Sequence, residues 1–382
     1  MTASGLDLLD WGVLFGTLLT IVAVGIYKTR GSRTMEAYLK GDNSLKWWTI
    51  GLSVMATQAS AITFLSTPGQ AYESGMGFIQ FYFGLPLAMI VLCVWVLPIY
   101  YRLRVYTAYE FLENRFDLKT RLLAAFLFLV QRGLAAGITI YAPSIILSTI
   151  LGWSLNLTIL IIGVLVILYT VSGGTRAVSQ TQKQQMAVMM GGMIVALLVL
   201  LYKLPEGVGV GDAVAVAGHM GKLNLIDTEF DLSNRYTLWS GLLGGFFLAM
   251  SYFGTDQSQV QRYLGGRSVT ESRLGLLMNG LVKVPMQFLI LFIGAMVFVF
   301  YQFYQPPVYY NQPQLQQITQ PELQEQLQGY QLEFDQLFVQ KRQAVEAALS
   351  KQGEWQTVKR PTGTGAFPAP GGKGAGRLRT AR

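Results

Sequence analysis

One cysteine and one histidine are all that 382 residues offer of the side chains that most often hold metals or form disulfides. Cys93 lies inside an apolar run, so it can form no internal disulfide and reads as a small packing group. His219 stands alone in a polar loop without the partners a metal site needs. Charge is scarce too. Only 13% of residues are charged, about half of the ~25% usual in soluble domains. No nucleophile–base pair, phosphate-binding glycine loop or metal-ligand spacing can be picked out, which argues against an enzyme. No cleavable leader is evident either: residues 8–27 follow an acidic rather than a basic lead and are long enough to span a bilayer.

What the chain has in quantity is apolar sequence, 52% of the residues. A bilayer is crossed by about 20 apolar residues in a helix. Eight such runs can be marked, at roughly 8–27, 48–68, 76–101, 121–150, 155–172, 185–203, 238–256 and 275–303. The net charge of +8 does not point to nucleic acid, because the basic residues sit between apolar runs rather than in one patch. Fifteen of them fall in the odd-numbered loops, among them Lys28, Arg30, Arg33, Lys40, Arg104, Arg176, Lys183 and Arg267. Three (Lys203, Lys222 and Arg235) fall in the even-numbered ones. That asymmetry predicts cytoplasmic odd loops, an N-terminus outside and a multi-pass protein of the cell membrane.

Residues 1–303 thus form the membrane unit, and 304–359 change to a Gln-rich, extramembrane, partly helical segment. From about Pro321, the spacing of Leu332, Phe334, Leu337, Phe338 and Val345 predicts an amphipathic helix. Residues 360–382 are rich in Gly, Pro and Arg, resemble nothing before them and are expected to be disordered.

Several polar groups interrupt the apolar runs. MATQASAITFLSTPG, residues 55–69, carries Thr57, Gln58, Ser60, Thr63, Ser66 and Thr67 inside one span. Ala56, Ser60, Thr63 and Thr67 would share a helix face. Such a stripe suits either close helix packing or a cavity in which hydroxyls and freed carbonyls meet a cation or solute. Arg132 lies deep in a span, where a charge costs about 2.5–3.5 kcal/mol, so it needs a protein partner or an anionic solute. Gln80 either caps at the interface or faces a solute. Lys283 is expected to snorkel, with Pro285 kinking its helix. The seventh run is expected to break at Gly254-Thr255-Asp256. Two discontinuous helices in corresponding positions point to a transporter site, and four spans between their starts suit five helices per repeat.

On MATQASAITFLSTPGQAYESG (55–75), GGTRAVSQTQKQQ (173–185) and FGTDQSQVQRYLGGRS (253–268), the chain resembles the sodium/solute symporter family over about residues 5–303. That family includes sodium/glucose, proline, iodide and sialic acid carriers. The resemblance implies an all-α integral membrane protein with inverted five-helix repeats (LeuT-like) behind an extra N-terminal helix. It implies sodium as coupling ion, no other cofactor, and uptake of a small polar organic solute, a carboxylate first and a sugar or polyol second. The partners it implies are solute, sodium and lipid, with no obligate protein partner and no nucleic acid. It places sodium on the carbonyls of Ala56 and Ala59, solute against Ser60, Thr63, Gln80 and Arg132, and an inner gate at Tyr252 and Phe253. The family's Thr-Asp reads Thr181-Gln182 here, which removes a charge from the coupling position and makes a second sodium doubtful. The eighth to tenth core helices and their sodium-binding hydroxyls find no match, so a C-terminally truncated member that transports poorly alone is expected. The rival readings are a membrane solute sensor and a non-functional fragment.

Overall fold

The computed structural model describes residues 7–29, 44–60, 62–231, 234–309, 315 and 320–350. Arg30, Arg33 and Lys40 of the first basic loop, and the 360–382 tail, lie outside them. Among the described residues all eight apolar runs are helical. In order these are α1 (Leu8–Thr29), α2 (Trp47–Gln58), a π-turn (Ile62–Ser66) leading to α3 (Thr67–Ser74), and a 3-10 segment (Met76–Tyr82). Next come α4 (Gly84–Val91), a π-turn (Leu92–Val96), α5 (Leu97–Leu103), α6 (Glu110–Arg115), α7 (Leu118–Leu151) and α8 (Leu155–Tyr202). After α9 (Val210–His219) and a π-turn (Ser240–Gly244) follow α10 (Gly245–Thr255), α11 (Gln257–Leu264), α12 (Val269–Phe303) and α13 (Pro321–Ser350).

Helix ends follow the local sequence. Asp117 caps α7, its carboxylate accepting from the Thr120 amide (2.8 Å) and hydroxyl (2.7 Å), which hold that carboxyl below its usual range. Gly152, at φ 69°, closes the same helix in the left-handed conformation that favours glycine. Ser154 and Ser268 cap α8 and α12. A Leu45–Gly266 bridge, in which Leu45 N donates to Gly265 O (3.1 Å) and Arg267 N to Leu45 O (3.2 Å), ties the start of α2 to the α11–α12 turn.

Four helical stretches are long and apolar enough to cross a membrane: Met76–Leu103, Leu118–Leu151, Thr181–Tyr202 and Val269–Phe303. The α2–α3 pair, bent by 71°, makes a fifth. One expectation is corrected. The fifth and sixth runs are not antiparallel spans joined by a loop at 173–184; they lie in one continuous helix of 48 residues. No proline interrupts it, and Gly173-Gly174 costs a helix only about 1 kcal/mol per residue.

The core forms around α2 and α12. Ile50 and Val54 of α2 meet Met89, Leu92, Tyr100, Phe253, Tyr263 and Leu276 in one cluster. Met55 and Ala56 meet Met186, Met193, Met286 and Ile290 in another, against α8. A third joins Ala71, Met76, Ala213, Leu291, Val299 and Phe303. Val345 and Leu349 of α13 pack on it, and Phe338 is buried. The amphipathic helix is therefore present, but Leu332 and Leu337 stay exposed and do not belong to its packed side.

Candidate functional site

Two helices break in mid-course, the second at the Gly254–Asp256 stretch where a break was expected. In the first, α2 ends at Gln58 and Ala59 turns extended (φ −87°, ψ 102°), which takes its carbonyl out of the helical ladder. The Ala56 carbonyl accepts from Ala59 N at 3.1 Å and keeps a second lone pair. The break replaces the single helical face expected of Ala56, Ser60, Thr63 and Thr67. Ser60 lies in the gap with its amide donating to Thr63 Oγ1 (3.4 Å), while Thr63 and Thr67 stay buried beyond it. Thr57 Oγ1 donates back to Ser53 O at 2.7 Å, the local satisfaction open to any helical threonine.

The second break falls at Asp256 (φ −75°, ψ 115°), between α10 and α11. Freed carbonyls find tyrosine donors there: Tyr100 OH donates to Gly254 O (2.8 Å) and Tyr263 OH to Phe253 O (2.9 Å). Phe253 is fully buried, and its ring meets that of Tyr252 edge-on at 5.2 Å. Tyr252 lines two cavities. One, of about 280 Å³, is bounded by Gln58, Phe78, Tyr82, Leu85, Ala249 and Phe253. The other, of about 620 Å³, lies between α7 (Leu127, Phe128, Gln131) and Leu92, Tyr100, Tyr109 and Asp256.

Gln182 joins α8 to the first broken helix. Its Oε1 accepts from Ser53 Oγ at 2.6 Å, and its Nε2 donates to Thr57 Oγ1 at 3.0 Å. Farther along the same interface, Gln261 Nε2 of α11 donates to Thr175 Oγ1 at 2.7 Å. The GGTRAVSQTQKQQ stretch is thus a polar seam against α2 and α11.

Two expected solute ligands are committed to protein partners. Arg132 is ion-paired with Asp256, which is 7% exposed, and lies over the Tyr252 ring at 5.5 Å. The partner that Arg132 required is therefore Asp256. Gln80 is fully buried, its Nε2 donating to Tyr236 O (2.8 Å) and Gly77 O (3.2 Å), its Oε1 accepting from Asp227 N (2.9 Å). Both ends of that amide are engaged, so the structure makes Gln80 the clasp of the 226–236 loop rather than a solute contact. Gln80→Leu should cost about 1–3 kcal/mol, because it strands buried backbone groups. Faster proteolysis of that loop with unchanged solute affinity is the expected outcome; lost affinity with an intact loop would return Gln80 to the site.

Asn279 and Gln287, which sequence reading passed over, lie on α12 with Lys283. Asn279, Lys283 and Gln287, spaced by four, are all fully buried. Asn279 Oδ1, Lys283 Nζ and both Gln287 amide atoms lack a hydrogen-bond partner among the described residues. Lys283 does not snorkel: the residue is fully buried and its ammonium end reaches no surface. α2 and α12 run parallel, since a Cβ on Gly275 would meet Ile50, one on Gly51 would meet Met278, and one on Gly294 would meet Pro68. That register sets the Lys283–Gln287 turn against the end of α2 and the break that follows it. The four-residue spacing was the available signal.

A family model described as the sodium:solute symporter family matches residues 38–331. The chain belongs to that family. It is 32% identical to the human sodium/iodide cotransporter over 297 residues, 76% of this chain and 45% of that protein. It is 33% identical to mouse sodium-coupled monocarboxylate transporter 1 over 273 residues, 71% of this chain and 44% of that protein. The rabbit (Oryctolagus cuniculus) sodium-dependent multivitamin transporter matches at 31% over 313 residues, 79% of this chain and 47% of that protein. A solved Na+-coupled sialic acid symporter, substrate-bound and outward-open, superposes with a TM-score of 0.74 at 26% identity, over 82% of this chain and 66% of that one. The symporter chain thus has the all-α, LeuT-like fold of an integral, multi-pass membrane transporter, and it is not an enzyme. It spans less than half the length of the curated relatives it matches.

Proposed function

We propose that this symporter chain supplies one wall of a sodium- and solute-binding cavity, in a transporter that couples sodium entry to uptake of a small organic carboxylate across the cell membrane. Sodium is a hard ion suited to oxygen ligands, and the carbonyls of Ala56 and Ala59 flank the first break. The solute lies against Ser60 and Thr63, below the gate residues Tyr252 and Phe253. A neutral Gln182, held by Ser53 and Thr57, supports one sodium rather than two. No protein partner is required in this reading.

Lys283 carries the choice of a carboxylate. Its buried amine has no partner among the described residues, whereas Arg132 is already ion-paired with Asp256. The named solutes of the relatives include iodide, monocarboxylates and sialic acid, which are anions. A neutral sugar or polyol is the second reading, favoured by the carboxamides of Asn279 and Gln287. Since the chain spans less than half of its relatives, binding is the readout rather than uptake. Labelled short-chain monocarboxylates and glucose are offered to the purified chain in nanodiscs, in sodium or potassium chloride. Sodium-dependent, carboxylate-selective binding with a sodium slope near one is expected. Selective glucose binding would reverse the solute choice, and equal binding in both salts would sink the coupling.

A further inference from the structure

The Arg132–Asp256 pair joins elements that the larger cleft otherwise holds apart. α7 packs on α6 and α8, and the 620 Å³ cavity separates its Leu127–Gln131 turn from α10. Arg132, one residue beyond that turn, crosses to Asp256 at the hinge between α10 and α11. There Asp256 does two jobs at once. Oδ1 accepts from the Ser258 amide (2.9 Å) and hydroxyl (2.6 Å), capping α11, while Oδ2 takes the guanidinium. The same guanidinium covers the Tyr252 ring, and Gln259 Nε2 of α11 donates to Tyr252 OH at 2.9 Å. Tyr252 is therefore held from two sides, by α7 and by α11, and with Leu248 it lines both the 280 Å³ and the 620 Å³ clefts.

We propose that Arg132 and Asp256 form a latch across the α10–α11 hinge, which keeps Tyr252 closed between the solute chamber and the larger chamber beside α6 and α7. Arg132 is then a positioning residue: it acts on solute passage through Tyr252 and not by touching solute. Opening the pair frees α10 to swing from α7 and merges the two chambers into one route. The physical balance suits a switch. The pair is only half desolvated, with Asp256 buried and Arg132 partly exposed, so water can compete for the guanidinium and both made and broken states are accessible. Arg132 Nε, buried without a partner among the described residues, leaves a donor spare for that water.

The test reads access and needs no solute, so it stands or falls separately from the choice of carboxylate or sodium. In a Cys93→Ala background, Ala249→Cys places a thiol on the wall of the smaller cavity, where the alanine is 7% exposed. The full chain in vesicles is treated with a small, charged, membrane-impermeant methanethiosulfonate reagent from each side. Asp256→Asn keeps a helix-capping side chain but removes the charge, so the fold is retained. It and Arg132→Ala should each speed labelling about tenfold or more from the side of the larger chamber. The exchanged pair, Arg132→Asp with Asp256→Arg, should return labelling to the slow rate. Unchanged rates in both folded single variants, or fast labelling that persists in the exchanged pair, would overturn the latch.

Discussion

Gly245→Leu should leave almost no folded protein. Gly241 and Gly245, one turn apart, carry the π-turn and the start of α10 across the 3-10 segment that precedes α4. A Cβ on Gly241 would meet the carbonyl of Gln80, and one on Gly245 the carbonyl of Phe81. The contact is reciprocal, because a Cβ on Gly84 would meet the backbone of Gly245 and Phe246. Small residues spaced by four let membrane helices approach backbone to backbone, where hydrophobic pressure between helices is absent. Overpacking a core costs about 1–3 kcal/mol when side chains can adjust, and here the obstructing atoms are backbone and cannot rotate aside. The same crossing seats Gln80, so the loop clasp and the gate helix would be lost together. Monodisperse yield on size exclusion and the thermal midpoint are the measurements. Gly244→Ala is the control: nothing stands within 4 Å of its Cβ, and alanine is a better helix former than glycine. A Gly245→Leu chain that purified and melted like the parent would show that the crossing is looser than described.

How much of this could be seen in the sequence depended on whether the deciding contact was local. The break at Asp256 was legible, because polar, helix-breaking residues in an apolar run leave backbone groups that need a cavity or a partner; the break after Gln58 was not placed, since the same polar residues also fit one helix face. The amphipathic α13 was legible by its period, though periodicity could not tell which of Phe338 and Leu337 would find a surface to pack on. The continuity of α8 was not legible. A basic, polar stretch between two apolar runs reads as a loop, and only the partners across the seam, Ser53 and Thr57 for Gln182, give it a helical role. Arg132 showed that a partner was needed without showing which, since Asp256 lies 124 residues away and had already been given a local task as a helix breaker. Gln80 misled in the opposite direction. A lone amide near a helix start looks available, and the backbone groups that occupy it come from the loop at 227–236.

Lys283→Met should make the protein more stable and deaf to its solute, and the two effects together discriminate where either alone would not. Without solute, the buried ammonium is a liability: a lysine at the centre of a membrane helix costs about 2.5–3.5 kcal/mol, and no described residue takes its protons. Methionine keeps the length of the stem without the amine and tolerates irregular core space. The thermal midpoint of Lys283→Met should therefore rise by several degrees above the parent in sodium chloride alone. Adding a saturating carboxylate should lift the parent, since a ligand at 100 times its Kd stabilises by about 2.7 kcal/mol, and should leave the variant unmoved. The two melting curves would then converge or cross as solute is added. A structural lysine gives the contrary pattern, in which the variant melts lower than the parent and both respond to solute. Solute response retained at a raised midpoint would place the carboxylate elsewhere and leave Lys283 an unpaired charge without a task. If the parent responds to glucose and not to the acid, the ammonium is serving hydroxyls, and the carboxamides of Asn279 and Gln287 become its natural companions. The energetic argument for function is the same in either case. A chain that keeps a buried amine with no partner among the described residues, against a gain of this size, keeps it for a ligand that completes the site.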